Sequence, residues 1–573
     1  MPREGNKNSL RRISYLAGFF FLLIIALIGR LIQKQIFQHE HYLLAAKNQQ
    51  IFSREELAQR GKIQIHDDLE SKGSLVDVAI DVKRYSVSIV PQNVKDKRQV
   101  ARELATVAEL SEDELFLKID NDKLYLPPIA RNQTAEAVEV IEEKDLDGVL
   151  ILPEYGRFYP ENNLVSQTLG FVNLDGVGKY GVEGYYDDEL RGFSGKRTAE
   201  RDTMGRVINL ISEEPPKNGD TLILSIDRSV QYYTEKAIEK ALTDYQAESG
   251  SVIIVEPKTG RIVAIANKPD FNPNDYRKIL SDQISIFTNP VISGAWEPGS
   301  IMKPISMAAA IDQGKVTPET KGVYSNYTVV DGSEIHTAED KAFGEETMTE
   351  ILENSDNVAM VDVANKLGND LLYDYLNRFG LLEKSGVDIF GESTGQVPTL
   401  KNWRAIHRAT ISFGQGISVT PIQMVMAYSA LANSGKLVVP KIVDKIVDCD
   451  GKESEIETRE VGQVISPETA SKISLMLESV VVNGHGKRAA VAGFRVGGKT
   501  GTAQVPKADG SGYEENIHIG SFVGFAPIED PKFVMLVRLN NPKGVEFAES
   551  SAAPLFGQIA NYLLNYYYKL PVK

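Results

Sequence analysis

Apolar residues fill almost every position from Ile13 to Ile32, with Arg30 the only charge near the end of the run. A stretch of about 20 apolar residues is long enough to cross a bilayer as a helix. A cleaved signal peptide has a shorter apolar core, about 7–15 residues, that ends at small residues. This run ends instead in Gly29-Arg30-Leu31-Ile32-Gln33, which predicts an uncleaved anchor. Arg3, Lys7, Arg11 and Arg12 precede it against a single Glu4. By the charge rule, residues 1–12 are expected in the cytoplasm, 13–32 in the inner or plasma membrane, and the rest outside. No second apolar run of that length follows, so the expectation is a single-pass protein.

Beyond the anchor the periodicity changes several times. Residues 33–50 read as a continuing helix. Val76 to Pro91 alternates and is rich in Val and Ile, which predicts strand, and Val100 to Leu117 reads as helix. Glycines from Gly170 to Gly205 mark a turn-rich segment. From Thr221 the pattern sharpens: Leu222 to Ser225 reads as a strand and Val230 to Leu242 as a helix. Ser251–Glu256 and Arg261–Ala266 read as two strands joined by a turn at Pro257–Gly260. Helical segments run from Ser300 to Leu431. Phe494-Arg495-Val496, Thr502–Val505, Ile517–Ala526 and Lys532–Leu539 then read as strands, and Ala552–Tyr568 as an amphipathic helix. Strands first, helices in the middle and strands last predict an α+β fold, with one sheet assembled from both ends around a helical insert. The expected domains are an N-terminal structural or docking module over 33–220 and a second domain over 221–573.

Composition narrows the chemistry. The 573 residues are 42% hydrophobic and 25% charged, ordinary for a globular protein. A net charge of −15 argues against nucleic acid as a partner. The single cysteine, Cys449, cannot form an intrachain disulfide. Seven scattered histidines, with no His-Glu-x-x-His, give no metal site.

Three short motifs carry candidate chemistry. Pro298-Gly299 is a turn, Ser300 starts a helix that Gly314 stops, and Pro304 falls in the first turn, where it is tolerated. Ser300 and Lys303 are three apart, hence on one helix face. A serine hydroxyl needs a base, and a lysine serves only when burial or a neighbouring positive charge lowers its pKa. Ser355-Asp-Asn357 places a hydroxyl and a carboxamide on a tight turn, where Ser355 could equally cap the helix Val358–Leu367. Gly497-Gly-Lys-Thr-Gly501 sets Lys499 among glycines on a strand edge, with Thr500 and Thr502 as hydroxyl donors for a carboxylate. A second Lys-Thr-Gly, at Lys258–Gly260, reads as turn chemistry only. Gly493 to Thr500 also fits the phosphate-loop pattern, but Gly501-Thr-Ala-Gln-Val-Pro506 cannot start the helix that motif requires.

In this order, Ser300-Ile-Met-Lys303, Ser355-Asp-Asn357 and Lys499-Thr-Gly501 resemble the signature set of penicillin-binding proteins and serine β-lactamases. Trp296-Glu-Pro-Gly-Ser300, Ser412-Phe-Gly-Gln-Gly-Ile417, Lys499-Thr-Gly-Thr-Ala-Gln504 and Ser521-Phe-Val-Gly-Phe-Ala-Pro527 are similar to class B penicillin-binding proteins, most of all to the septal transpeptidases. Arg60-Gly61, Gly170-Phe171, Gly181-Val-Glu183 and Tyr186 resemble that class's pedestal, although His66 to Gly73 departs from its usual turn. The resemblance implies a transpeptidase domain with an antiparallel sheet flanked by helices and an all-helical subdomain. It implies Ser300 as nucleophile, Lys303 as base, Ser355 and Asn357 as proton relay and positioning group, and Lys499 as cation. Thr500, Gly501 and Thr502 would bind substrate, and the backbone N–H groups of Ser300 and Thr502 would form the oxyanion hole. Stem peptides of peptidoglycan, β-lactams, a membrane glycosyltransferase and other division proteins are the implied partners, with no cofactor. The alternatives are an elongation-type relative, or a silent division scaffold or β-lactam sensor. A silent scaffold is expected to have lost a catalytic side chain, yet all five are present. The class A β-lactamase signature Glu-x-x-Leu-Asn is absent.

Overall fold

The structure, a computed structural model, describes residues 5–43, 51–68, 74–121, 123, 126–201, 207–507 and 512–568. Arg3 and Glu4 of the expected tail, residues 44–50, the end of the departing pedestal text at 69–73, and Gly205 lie outside the described residues. The chain divides into two compact units, Met1–Ala58 with Phe193–Asn218, and Gln59–Gly192 with Gly219–Lys573.

In the first unit, Gly5–Ile32 is one α-helix, followed by a π-helical turn over Gln33–Phe37. Leu10–Phe37 is, among the described residues, the one helical stretch long and apolar enough to cross a membrane, and its side chains are exposed. Strands Ile51–Glu56, Gly195–Arg201 and Val207–Glu214 form a three-stranded antiparallel sheet.

The second unit is built on a five-stranded antiparallel sheet. Its order is Ile262–Lys268, Ser249–Val255, Phe533–Asn540, Tyr513–Ala526 and Gly497–Pro506. The two ends of the chain's second half thus build one sheet. Both faces are covered, so alternate residues enter different cores. Val252, Ile254, Met535 and Val537 pack in a cluster with Ile238, Phe556 and Leu563, from helices Arg228–Asp244 and Ala552–Tyr567. Ile253, Val255, Val534 and Leu536 enter the larger cluster with Ile305, Met424 and Leu477, from helices Lys303–Asp312, Pro421–Ala432 and Pro467–Val482. The Gly497–Pro506 strand lies at the sheet edge, where one side of its backbone is left for another chain.

A second sheet crosses the expected boundary at 220/221. Thr221–Asp227 pairs antiparallel with Val443–Val447 and parallel with Ile63–His66, which pairs with Leu75–Ile89. Several expected elements differ in detail. Val100–Leu117 is two helices, Lys97–Ala108 and Glu112–Ile119, parted by Glu109 in the left-handed region and restarted by a Ser111–Glu114 capping box. The expected strand at Phe494-Arg495-Val496 is absent: Phe494 closes a turn on the Val491 carbonyl, Arg495 and Val496 are irregular, and the strand begins at Gly497. The helical insert also carries two short ladders, Lys321–Tyr324 with Gly344–Thr347 and Tyr327–Val330 with Ser333–His336.

Candidate active site

Ser300 sits in a 3-10 turn, Gly299–Met302, that leads directly into the helix Lys303–Asp312 with Pro304 in its first turn. The turn is pinned from two sides. The Gly299 N–H donates to the Gly414 carbonyl at 3.0 Å, and the buried Tyr428 hydroxyl donates to the Ile301 carbonyl at 2.8 Å. Gly299 has φ of 58°, and a Cβ there would lie 3.2 Å from the Thr502 carbonyl oxygen, so the turn runs close beside the edge strand. Gly501 is equally constrained: a Cβ would stand 2.6 Å from Ser521 Oγ and 2.9 Å from the Pro298 carbonyl. The two segments expected to supply the oxyanion hole, at Ser300 and Thr502, are therefore neighbours.

Ser355 joins two helices. It ends Met348–Asn354 in the left-handed conformation, with φ of 58°, and the next residue, Asp356, caps the helix Asn357–Leu367. The expected cap is displaced by one position: Asp356, not Ser355, accepts from the Ala359 N–H at 3.0 Å. That leaves the Ser355 hydroxyl for the two lysines. Lys303 Nζ donates to the Ser355 carbonyl at 2.5 Å and to Ser355 Oγ at 3.1 Å. Lys499 Nζ donates to the same Oγ at 3.0 Å, and to the Thr500 carbonyl at 3.2 Å. Both lysines are fully buried. The half-buried Ser300 hydroxyl is hydrogen-bonded to neither of them, so the expected Ser300–Lys303 contact is replaced here by Lys303 on Ser355.

The electrostatics separate the two amines. Each nitrogen lies about 3 Å from one oxygen, so they are no more than about 6 Å apart. Two positive charges at that separation repel by about 3 kcal/mol at an effective dielectric constant near 20. Burial, together with the Lys499 charge, holds Lys303 well below the usual lysine range, against the opposing pull of Asp356 and Glu346. Burial brings Lys499 down to about 7, with Glu549 pulling the other way. The arrangement supports one neutral amine, Lys303, beside one cation, Lys499.

The remaining predicted residues are distributed around this pair. Thr500 is buried, with its Oγ1 3.4 Å from Lys499 Nζ. Thr502 is exposed and accepts from the Ala548 N–H at 3.1 Å, which leaves its hydroxyl proton to donate. Asn357 donates through Nδ2 to the His336 carbonyl at 3.0 Å, a tether to the neighbouring hairpin that its sequence gives no sign of. Its carboxamide has one further donor and an acceptor. Sequence reasoning also missed Tyr428 and the part played by Glu297, which accepts from the Gly416 N–H at 2.9 Å and from the Tyr513 hydroxyl at 3.0 Å. The Trp-Glu-Pro-Gly run holds Glu297 in plain sight, but no local pattern names its partners.

The pedestal residues also meet. Buried Glu183 accepts from Arg60 Nε at 2.7 Å and from Arg157 Nε at 2.6 Å. Tyr186 donates to Asp388 at 2.8 Å. His66, where the departing text begins, pairs with Asp444 at 3.3 Å.

Known families match in the same layout. Residues 250–561 match the penicillin-binding protein transpeptidase domain, and 55–224 the penicillin-binding protein dimerisation domain. Stage V sporulation protein D of Bacillus subtilis is 34% identical over 565 residues, covering 97% of this chain and 86% of that protein. The probable peptidoglycan D,D-transpeptidase PbpC of Pseudomonas aeruginosa is 32% identical over 562 residues, covering 96% of this chain and 94% of its own length. The crystal structure of penicillin-binding protein 3 from Mycobacterium tuberculosis, complexed with aztreonam, superposes with a TM-score of 0.70 at 25% identity, covering 91% of this chain and 98% of that one. With Lys303 and Lys499 meeting on the Ser355 hydroxyl, and with both domain families matched in order, the chain belongs to the class B penicillin-binding proteins.

Proposed function

We propose that this protein is a membrane-anchored D,D-transpeptidase that crosslinks peptidoglycan stem peptides through an acyl-enzyme on Ser300. The observation that carries the reading is the meeting of two buried lysines, from different elements, on the Ser355 hydroxyl. The neutral Lys303 amine takes the proton of Ser300 as Oγ attacks the carbonyl before the terminal D-Ala. The oxyanion is received by the backbone N–H groups of Ser300 and Thr502. Ser355 passes the proton to the leaving amine, the C–N bond breaks, and D-Ala departs. The amine of a second stem peptide then attacks the ester and gives up its proton to the same base; the C–O bond breaks, and Ser300 Oγ takes that proton as it leaves. Lys499, Thr500 and Thr502 hold the terminal carboxylate, Gly501 admits the substrate backbone, and Asn357 orients the donor. A β-lactam offers a carbonyl and a carboxylate to the same groups and stops at the acyl stage.

In this reading residues 33–220 form the pedestal and 221–573 the transpeptidase domain. Residues 1–12 lie in the cytoplasm and the catalytic part outside. The apolar Leu10–Phe37 helix and the basic residues ahead of it support this orientation. A membrane glycosyltransferase and division proteins are the proposed partners, and the motif resemblance to septal enzymes supports a division role. The test is a crosslinking assay with the full chain in detergent, a donor peptide ending in D-Ala-D-Ala, and a stem-peptide amine acceptor. Wild type should release D-Ala and form dimer, and S300A neither. Release without dimer would make the protein a carboxypeptidase, and release by S300A would end the proposal. Filaments on depletion in cells would support septal work, and rounding would favour elongation.

A further inference from the structure

Away from the two lysines, Ser166, Glu235, Asn267 and Asp270 are among the residues that line a small polar cleft of about 170 Å³, partly open to solvent. Ser166 is 2% exposed and Asn267 6%. Neither Ser166 Oγ nor Asn267 Oδ1 has a hydrogen-bond partner among the described residues. A neighbour fixes the Asn267 amide: Asn289 Oδ1 accepts from the Val291 N–H at 3.0 Å and from Asn267 Nδ2 at 3.1 Å. The nitrogen of Asn267 is therefore committed to Asn289, and its oxygen is the end left to the cleft.

Charge points the same way. Glu235, in the helix Arg228–Asp244, accepts through Oε1 from the Val165 N–H at 3.0 Å and from Gln231 Nε2 at 2.7 Å. Its Oε2 lies 3.9 Å from Lys268 Nζ, beyond hydrogen-bonding reach. Lys268 bonds Asp270 instead, and Asp270 also accepts from Asn163 Nδ2 at 3.1 Å. Two carboxylates against one ammonium leave one net negative charge on side chains that are mostly buried. Burial raises the Glu235 pKa and Asp270 adds to it, against the two donors and Lys268.

We propose that this cleft binds one monovalent cation about the size of a water molecule, potassium or ammonium, on Asn267 Oδ1, Ser166 Oγ and the Glu235 carboxylate. The space admits one particle of that size. A water would satisfy the two unpartnered oxygens but leave the negative charge uncompensated. Calcium takes about six to eight oxygens, carboxylates foremost, whereas one of the two carboxylates here is already held by Lys268 and Asn163. Neutral oxygens that replace a hydration shell, with a single charge beside them, suit a potassium-like ion. The ion would tie Ser166, in the stretch that matches the dimerisation domain, to Asn267, in the stretch that matches the transpeptidase domain.

The cleft shares no residue with the acylating groups, so binding is read on the unreacted full chain in detergent. Thermal unfolding is followed in potassium, ammonium, lithium, calcium and choline chlorides at one ionic strength, for wild type, E235Q and S166A. Wild type should melt about 2 °C or more higher in potassium or ammonium than in lithium or choline. In E235Q the carboxamide oxygen still accepts from Val165 and Gln231, but the charge is gone, and the potassium advantage should vanish. S166A loses one ligand, keeps the charge, and should retain only part of the advantage. Crystals soaked in thallium(I), which stands in for potassium, should show anomalous density between Asn267 Oδ1 and Ser166 Oγ. Equal melting of wild type in all five salts would mean that water alone fills the cleft and would overturn the inference. An undiminished potassium advantage in E235Q, or thallium bound only elsewhere, would overturn it too, and a calcium gain above that of potassium would refute the monovalent class. S166A decides should E235Q fail to fold: a full potassium advantage in that variant would end the proposal.

Discussion

At the scale of single residues, the site is a division of charge between two lysines. In the proposed mechanism Lys499 holds the substrate carboxylate as a cation, and burial has lowered it to about 7. A lowered lysine pKa means that the charge is present below that value and lost as pH rises through it. The second-order acylation rate constant, which reports the free enzyme, should therefore decline above about pH 7. Arginine keeps its charge far higher, so K499R should be slower at neutral pH yet flat from pH 7 to 9. A wild-type profile without an alkaline decline would remove Lys499 from this task. The close approach at the glycine beside Lys499 was legible because glycine marks it, whereas the shared helix face expected of Ser300 and Lys303 was not met by a contact, since Ser300 lies in a 3-10 turn and Lys303 bonds Ser355. The place of Asp356 was not legible. Ser and Asp are both good caps, and only the backbone conformation decides which of two neighbours does the capping.

At the scale of elements, the Ser355 junction shows backbone strain at the site. A non-glycine residue in the left-handed region costs roughly 1 kcal/mol. Both S355G and S355A should lose acylation to a similar extent, since each lacks the hydroxyl between the lysines. S355G should be the more stable of the two by about 1 kcal/mol in urea denaturation, because glycine adopts this conformation freely. Equal stabilities would show that the junction relaxes when the side chain is trimmed. Strands and helices with strong alternation were read close to their true ends, as with Phe533–Asn540 and Ala552–Tyr567. The hairpin beside the site was not read, although Asp331-Gly332, at φ of 50° and 83°, has the turn chemistry such hairpins demand. Its flanking strands are only four residues each, too short for periodicity to speak.

At the scale of the molecule, contacts remote in sequence tie the site to its support. The Thr221–Asp227 strand joins residues near 65 to residues near 445, a pairing no local pattern announces. Arg60, Glu183 and Tyr186 could be picked out by resemblance, but the second arginine on Glu183, Arg157, emerges only in three dimensions. Removing one member of such a buried cluster leaves the others uncompensated, at a cost of about 3–5 kcal/mol. E183A should lower the denaturation midpoint accordingly, whereas an exposed substitution such as D188A should not. A neutral result for E183A would mean that water reaches the two guanidinium groups. At every scale the proposed chemistry depends on which oxygen is acylated. The most direct measurement is intact mass and peptide mapping after incubation with benzylpenicillin. Wild type should carry one penicilloyl group on the peptide that contains Ser300, and S300A none; an adduct on any other residue, or one that persists in S300A, would contradict it.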